Sequence, residues 1–307
     1  MGHLALEPVT RAVRLAAAEA RWDAILASRP DLEPAVALQR QLIAIVVDLA
    51  EQIDAGRLPR LSLPPKYLAA KLTRGVPALA GEPIPVPTAV LRPTLLRLCD
   101  ALSAGGAGEA ADHIQALVTE GRLEAGSLFA ASLARDQQVI RSGAMHRGVS
   151  PDLLWLVGEL AVSPFAHALQ RALFASDEPA LAAALAKWSH GYCPACGSWP
   201  ALAEAASSHR VLRCSFCAAA WELDVYACIY CGEDGEPFVT AAPDTDRKDR
   251  RVEACNGCGG YLKTVDVPAL SSFPLLAIAD LETMDLDVAA MEQGYARPML
   301  KEFAAKG

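Results

Sequence analysis

Eight of the nine cysteines in this chain fall into four Cys-x-x-Cys pairs between Cys193 and Cys258. In a reducing compartment such pairs are typical of metal ligands or redox groups, whereas in a secreted chain they would favour disulfides. The first residues, MGHLALEPVTRAVR, lack the basic start, apolar core and small-residue cleavage site of a signal peptide. We therefore expect a cytoplasmic protein whose paired cysteines bind metal.

The four pairs can share two metals in three ways, because each ion needs two Cys-x-x-Cys turns, here called knuckles, held face to face. The pairs can combine in sequence, interleave or nest, and nesting would put the two middle knuckles around one ion. An internal repeat separates these options. CPACG and RVLRCSFC, which end at Cys217, are paralleled by CIYCG and RVEACNGC, which end at Cys258. One metal for each copy is the natural unit, so the repeat favours the sequential arrangement.

The repeat thus predicts two four-cysteine sites. The first site consists of Cys193, Cys196, Cys214 and Cys217, and the second consists of Cys228, Cys231, Cys255 and Cys258. The gaps between the knuckles of each site are 17 and 23 residues. The first gap suits a four-cysteine ribbon, and the second is longer by the polar loop PDTDRKDR.

A residue with left-handed backbone geometry is expected directly after each knuckle, because the turn must direct N–H groups at the sulfur. Glycine tolerates that geometry, and Gly197, Gly232 and Gly259 stand at three of these positions. Ala218 stands at the fourth, so we predict that this knuckle is strained or differently shaped.

The simplest interpretation of the predicted metals is a structural role. A ribbon of about 30 to 40 residues has too little apolar surface to fold alone, and a metal supplies the missing stability. A closed four-sulfur site rarely performs hydrolysis. Zinc and iron both suit tetrahedral sulfur coordination, so the spacing leaves the metal open and leaves a redox or iron-sensing role as the alternative.

The first 189 residues have the periodicity and the start and stop signals of an all-helical domain. We expect helices at 34–53, 65–74, 93–103, 109–120, 124–141 and 151–174, with one more before 34 capped by Thr10 and one starting at Ser176. The apolar runs LIAIVV and LLWLVGELAV are far shorter than the roughly 20 residues that cross a membrane, so we interpret them as core helices. With 21% charged residues, the composition suits a helix-rich soluble fold.

After His190 the pattern changes toward glycine, cysteine and strand-like alternation, as in Trp221 to Tyr226. An acidic helix is expected at 276–293. The predicted fold class is therefore α plus small β: an amino-terminal helical domain, two tandem rubredoxin-like or zinc-ribbon modules and a carboxy-terminal helix. The predicted divisions are 1–189, 190–227, 228–268 and 269–307.

Other residues carry weaker signals. His190 and His209 flank the first ribbon, but eight cysteines already fill two sites, so we expect them beside the ligands or in solvent. Lone Cys99 is interpreted as a small buried apolar residue. The basic cluster from Arg247 to Arg251 is interleaved with aspartates, and the net charge is −8, so a solvated loop is the better interpretation than a nucleic-acid contact. We find no catalytic triad, phosphate loop or supported carboxylate pair.

Four stretches together resemble one family in strict order: CPACGSWP, LRCSFCAAAW, EACNGCGGYLK and the tail MEQGYAR, which ends at Arg297. They are similar to the FdhE family of formate dehydrogenase accessory proteins. The resemblance covers about residues 193–297. The helical half matches this family in length and class only.

The resemblance implies a cytoplasmic, non-enzymatic protein that binds the catalytic subunit of formate dehydrogenase during its maturation. It also implies rubredoxin-like iron, one ion in each of the two four-cysteine sites, with zinc as the alternative. No nucleic acid and no membrane insertion are expected, and a homodimer stays open. The alternative functions are a zinc-ribbon adaptor that binds nucleic acid and a rubredoxin-like electron-transfer protein.

Overall fold

The computed structural model describes residues 3–6, 9–56, 59, 61, 63–207, 209–241 and 249–298. They form two compact units. One unit contains residues 9–56 and 81–169, and the other contains 3–6, 63–80 and 170–298. The cysteine region thus shares its unit with residues 63–80 and 170–189, which the sequence grouped with the other helices. The finer four-part division stays a prediction.

Helices make up the first half of the described chain. In chain order they are α1 Arg11–Ser28, α2 Glu33–Ala55, α3 Pro65–Thr73, α4 Thr88–Leu102, α5 Gly108–Thr119, α6 Ala125–Leu133, α7 Gln137–Met145, α8 Pro151–Phe174 and α9 Pro179–Ala186. Thr10 caps α1 by accepting a hydrogen bond from the Val13 N–H, and Gly56 ends α2, as the sequence signals predicted.

Two helix boundaries differ from the prediction. The expected helix at 124–141 is interrupted, because Arg135 has a left-handed φ of 61° and Asp136 begins a new helix by accepting a hydrogen bond from the Val139 N–H. The helix expected to start at Pro93 starts at Thr88 instead. Leu91 is fully buried, and its burial extends the helix N-terminally past the proline.

The helical unit has an apolar core to which α2 and α4 contribute continuous stripes. Val46, Val47 and Leu49 of α2 and Leu95 and Leu98 of α4 are almost completely buried. Cys99 lies beside this stripe with no exposed surface, as predicted, and burial raises the pKa of its thiol to about 12. The apolar periodicity of the sequence therefore marks the buried faces correctly.

One helix in the described part of the chain, α8, is long and apolar enough to cross a membrane. Within its most apolar window 61% of the residues are buried inside the protein. The core helix of a soluble protein passes the same test, so this helix alone is weak support for a membrane span.

The second half of the described chain contributes six strands to a seven-stranded sheet, and the seventh comes from residues 3–4. The strands of this sheet are β1 His3–Leu4, β2 Pro200–Ala206, β3 His209–Cys214, β4 Ala220–Glu222, β5 Phe238–Ala241, β6 Arg250–Cys255 and β7 Tyr261–Asp266, in the spatial order β1-β4-β3-β2-β7-β6-β5. Neighbouring strands are antiparallel except β2 and β7, which are parallel. The two ribbons are thus continuous parts of one sheet.

The strand expected from Trp221 to Tyr226 is shorter than predicted. It ends at Glu222 as β4, and the following residues form a bend and loop that lead to the second ribbon. Strand β4 pairs with β3 as far as Glu222 and with β1 only as far as Trp221. Alternation alone does not reveal where a pairing partner ends.

Two short helices close the described chain, α10 Leu276–Glu282 and α11 Met284–Glu292, separated at Thr283. They replace the single helix expected at 276–293. Leu276 and Ala279 of α10 pack on Leu202 of the first ribbon, and Leu286 and Ala290 of α11 pack on the second. The predicted fold class is confirmed: a helical amino-terminal part, a mixed sheet bearing the cysteines, and helical structure at the end.

Candidate metal centres

The eight paired cysteines form two clusters. Cys193, Cys196, Cys214 and Cys217 make the first cluster, and Cys228, Cys231, Cys255 and Cys258 make the second. Within each cluster the four Sγ atoms lie within 4.8 Å of one another. The structure therefore groups the knuckles in sequence, as the internal repeat predicted, and does not nest them.

The sulfur spacing fits a tetrahedral metal ion. The short Sγ–Sγ distances are 3.6 Å for Cys193 and Cys217 and 3.5 Å for Cys196 and Cys214. In the second cluster they are 3.7 Å for Cys228 and Cys258 and 3.6 Å for Cys231 and Cys255. Metal–sulfur bonds of about 2.3 Å give tetrahedral edges of about 3.8 Å. Both clusters could therefore hold an ion, and zinc and iron fit this donor set equally well.

Each knuckle closes through a short backbone turn. The N–H groups of Gly197, Gly232 and Gly259 donate to the carbonyl of the first cysteine in their knuckle at 2.8 to 2.9 Å. All three glycines have φ between 70° and 83°. Ala218 also has a positive φ, 56°, so this knuckle keeps the common turn and carries the strain that the sequence predicted.

The first cluster is sealed from solvent. None of its four cysteines has more than 4% of its surface exposed. Part of the cover comes from the segment after α3, where the N–H groups of Ala78 and Leu79 each donate to a carbonyl of the first knuckle, Pro194 and Ala195, at 2.8 Å. The Tyr192 hydroxyl binds the Gly75 carbonyl at 2.8 Å. The segment 75–80 is therefore a cover for the first cluster.

The second cluster is open on one side. Cys228 and Cys255 are buried, whereas Cys231 and Cys258 are exposed. The MEQGYAR tail covers only part of it, since the Ala296 N–H donates to the Gly259 carbonyl at 2.9 Å. An ion held here would lie within reach of solvent and of another molecule.

Burial raises the pKa values of thiols in both clusters. It raises the pKa values of Cys193 and Cys217 well above the ordinary thiol value, and it raises the pKa of Cys228 as well. Burial acts in the same direction on Cys255, but the N–H groups of Cys258 and Gly257 outweigh it and lower the pKa of that thiol. Without an ion the thiols of Cys193 and Cys217 are therefore protonated, and metal binding to them must release protons.

The two clusters contact each other closely. A Cβ atom at Gly191, just before the first knuckle, would lie 1.9 Å from the Ile229 carbonyl oxygen of the third knuckle. The rings of Trp199 and Tyr230 meet edge-on with centroids 5.0 Å apart. The Tyr230 hydroxyl binds the Tyr261 carbonyl at 2.9 Å. The second cluster is thus anchored on the first through backbone and aromatic contacts.

The sequence did not predict a buried charge cluster that holds the tail on the second ribbon. Lys263 of β7 is fully buried, with its Nζ 2.7 Å from Asp280 and 2.6 Å from Asp287. Arg297 binds the same two carboxylates. The acidic segment expected at 276–293 therefore turns these two aspartates toward the ribbon. The sequence signal from which this charge cluster could have been predicted is a single lysine, Lys263, within an otherwise strand-like stretch.

The remaining candidates lie outside both clusters. The His190 ring stacks on Tyr192 at 4.9 Å, and His209 pairs with Glu222. In the basic cluster, Arg247 lies outside the described residues, whereas Arg251 pairs with Asp266 and Arg250 donates to the Glu282 carbonyl.

Comparisons with known proteins support the predicted family. No protein-family model matches the chain. Protein FdhE from Escherichia coli O127:H6 is 29% identical over 120 residues, which are 38% of each chain. A protein FdhE homolog from Edwardsiella ictaluri is 30% identical over 146 residues, which are 46% of this chain and 47% of the relative. The match thus spans less than half the length of these curated relatives.

A solved structure resembles almost the whole chain. The crystal structure of the FdhE protein from Pseudomonas aeruginosa has a TM-score of 0.61 and 22% sequence identity, and the alignment covers 97% of both chains. At this identity the likeness shows the fold. Together with the named relatives, it confirms the resemblance to the FdhE family that the cysteine motifs predicted.

Proposed function

We propose that this chain is a cytoplasmic accessory factor for the formation of active formate dehydrogenase, and that it binds the catalytic subunit of that enzyme without being a catalyst. The observation that carries the proposal is the pair of four-cysteine clusters in a fold shared with an FdhE protein. The formate dehydrogenase role itself comes from the family that the motifs resemble. The eight clustered cysteines are proposed as the ligands of two iron ions, with zinc as the alternative.

The ligand geometry supports a non-catalytic metal. Four sulfurs complete a tetrahedral shell and leave no position for substrate or water. When bound, such an ion supplies folding energy and, if it is iron, a one-electron redox couple. The residues of the chain supply the rest: the knuckle turns orient the sulfurs, and the cover of residues 75–80 excludes water from the first cluster.

A strain without this protein tests the accessory role. We expect its formate dehydrogenase activity to fall at least tenfold, and we expect the wild-type gene to restore it. A double variant, Cys228→Ser with Cys231→Ser, should fail to restore activity, whereas Cys99→Ser, which changes a cysteine outside both clusters, should restore it. Unchanged dehydrogenase activity in the deletion strain would refute the proposal.

Metal identity needs a separate measurement. Elemental analysis of protein purified without oxygen, together with an absorption spectrum, distinguishes a coloured ferric four-sulfur centre from colourless zinc. We expect two ions for each chain. Zinc in both sites of the native protein would contradict the iron assignment and leave the accessory role standing.

Electron transfer is the second candidate function, and the exposure of Cys231 and Cys258 favours it. Two sulfurs at the surface would bring the ion close to a redox partner. Reversible reduction of bound iron at a physiological potential would support this function, and a site filled natively by zinc would exclude it. The nucleic-acid alternative gains nothing from Arg250 and Arg251, since both bind groups of their own chain.

A further inference from the structure

The second ribbon repeats the strand order of the first, and the two ribbons are joined head to tail in one sheet. Each ribbon contributes three antiparallel strands, and β5, β6 and β7 of the second ribbon correspond to β2, β3 and β4 of the first. The register fixes this correspondence, because Pro200 of β2 lies opposite Cys214 and Phe238 of β5 lies opposite Cys255. The ribbons join where β7 pairs in parallel with the outer edge of β2. The same edge of β5 is therefore the position at which a third ribbon would join.

Strand β5 ends the sheet within the described residues. The Asn256 N–H donates to the Pro237 carbonyl at 2.8 Å, and the Phe238 N–H donates to the Gly235 carbonyl at 3.0 Å. Because hydrogen bonding alternates along an antiparallel pair, Val239 and Ala241 bond to β6. The N–H and carbonyl of Thr240 then point away from the sheet. In the first ribbon the equivalent residue, Ala203, pairs with Thr264 of β7.

The opposite edge of the sheet is closed. Strand β1 pairs with β4 through His3 and Trp221 and through Leu4 and Ala220. A second copy of the chain would need its own β4 to repeat the β2–β7 contact on β5, and β1 occupies that strand. Head-to-tail pairing of identical chains is therefore blocked. The β4 strand of a second copy therefore cannot take the position on β5 that β7 takes on β2.

The surroundings of this edge are apolar and exposed. Val225, Tyr226 and Val239 have 56%, 49% and 38% of their surface exposed. The Tyr226 hydroxyl lies 2.7 Å from Thr240 Oγ1, and its ring lies 5.3 Å from that of Phe238. Tyr226 thus stands on the face of β5 that carries Phe238 and Thr240. Side chains of an added strand would contact it directly.

The repeat also indicates the chemistry of the occupant. On β2 the edge carries Glu204, which is buried and balanced by Arg213 and by the Ser271 N–H. The equivalent position on β5 is Ala241, which needs no counter-charge. An extended segment with small or apolar side chains fits this edge, and a strongly charged one does not.

We propose that the outer edge of β5 receives an extended, apolar segment of the formate dehydrogenase catalytic subunit as a parallel strand, in the position that β7 takes on β2. The inference rests on the proposed function, because it names the surface that the client subunit uses. The added strand would lie close to the second cluster, since Phe238 of β5 pairs with Cys255, one of the four cysteines of that cluster.

Two matched substitutions test this geometry. Thr240→Pro removes the outward N–H and no hydrogen bond to β6, and a proline is tolerated at an edge strand. Thr240→Val keeps the N–H and removes only the hydroxyl. With the purified catalytic subunit as the probe, we expect Thr240→Pro to weaken binding about tenfold or more, which is the loss of about one good hydrogen bond, and Thr240→Val to bind within about twofold of wild type.

Hydrogen exchange of the wild-type chain gives a measurement that does not depend on a variant. Addition of the catalytic subunit should slow exchange of the Thr240 amide at least about tenfold. If Thr240→Pro loses metal or folded structure, the exchange rate of the wild-type Thr240 amide decides whether the client binds at this edge. Equal binding by wild type and Thr240→Pro, equal loss in both variants, or unchanged exchange would each overturn the edge proposal.

The wild-type result separates the two proposals. If the wild-type chain does not bind the catalytic subunit, the proposed function fails. If it binds and the Thr240 tests are negative, only the edge proposal fails. Sedimentation of the wild-type chain alone provides the last control: a dimer that Thr240→Pro converts to a monomer would identify the occupant as a second copy and overturn the proposal.

Discussion

The two four-cysteine clusters have the same ligands and the same turns, but they have different surroundings. The first lies under the 75–80 segment with four buried sulfurs, and the second exposes two of its four. The same four-cysteine arrangement therefore occurs in two different environments within one sheet. An ion held in the sealed cluster would stabilise the fold, whereas an ion held in the open cluster would also be accessible to exchange, to reaction or to a partner. Variants of the chain and removal of the metals test this difference between the two clusters.

Loss of a ligand should affect the two clusters unequally. Cys193→Ser leaves three buried sulfurs and a hydroxyl in a closed site, so we expect it to lower the free energy of unfolding of the cysteine unit by more than about 4 kcal/mol. Cys228→Ser should cost clearly less, because two of the remaining sulfurs are solvated. Urea unfolding and metal content of both variants measure the difference. Equal destabilisation would mean that burial does not distinguish the clusters.

Chelation should remove the metals in two phases. We expect the ion of the second cluster to leave at least about tenfold faster, since a chelator reaches Cys231 and Cys258 without any opening of the fold. The absorbance of a coloured chelator complex records both phases. The fast phase should be missing in Cys228→Ser. A single phase that accounts for both ions would contradict the prediction.

One substitution should weaken the charge cluster that holds α10, α11 and Arg297 on the second ribbon. Lys263→Met leaves Asp280 and Asp287 with Arg297 alone, and we expect it to lower the free energy of unfolding by about 3 kcal/mol. Urea denaturation measures this loss, and faster amide exchange in α11 should accompany it. Arg251→Met is the matched control, since its pair with Asp266 is partly exposed and should contribute less than about 1 kcal/mol. An unchanged midpoint in Lys263→Met would show that the tail is held by apolar contacts.

The contact between the clusters can be disturbed without touching a ligand. Gly191→Ala would place its Cβ 1.9 Å from the Ile229 carbonyl oxygen, so we expect a loss of about 2 kcal/mol and faster chelation of the second ion. Gly257→Ala is the control, because its Cβ would meet the nearest atom, Cys255 Sγ, at 3.5 Å. The coupling is refuted if both variants unfold at the same urea concentration.

The smallest effect concerns the one knuckle without glycine. Ala218→Gly should raise the free energy of unfolding by about 0.5 to 1 kcal/mol, because glycine adopts the left-handed conformation without the steric strain of alanine. The larger conformational entropy that glycine loses on folding offsets part of this gain. Thermal unfolding of the metal-loaded protein measures the gain. The reverse change at the second cluster, Gly259→Ala, should destabilise by about 1 kcal/mol. A loss of stability in Ala218→Gly would mean that this knuckle is not strained.

The helical half shows how much of the fold local signals determine. Thr10, Gly56 and Pro151 mark helix ends where the structure has them, because capping and the fixed φ of proline act within one turn. The same signals missed the break at Arg135. The periodic pattern of this stretch does not predict that one residue, Arg135, has a positive φ, since that conformation depends on the packing of the two helices.

The sheet shows the limit of such signals. Strand β2 has the sequence PALAEAA, whose alanines favour a helix, yet it lies between β3 and β7 as a central strand. Its pairing partners and the buried Arg213–Glu204 pair override the local preference. The same holds for Lys263, whose burial depends on two aspartates that arrive from α10 and α11.

The sequence predicted which eight cysteines cluster, how the four knuckles pair and where three of the turns need glycine. These features depend on the spacing of the cysteines and on turn geometry, which are local, and the internal repeat shows them twice. That one cluster is sealed and the other open follows from the packing of the folded chain. That difference depends on a segment more than 100 residues away in the chain, residues 75–80, whose N–H groups find their partners on the first knuckle. Contacts of this kind are selected by packing and hydrogen-bond satisfaction across the fold, and no local pattern records them.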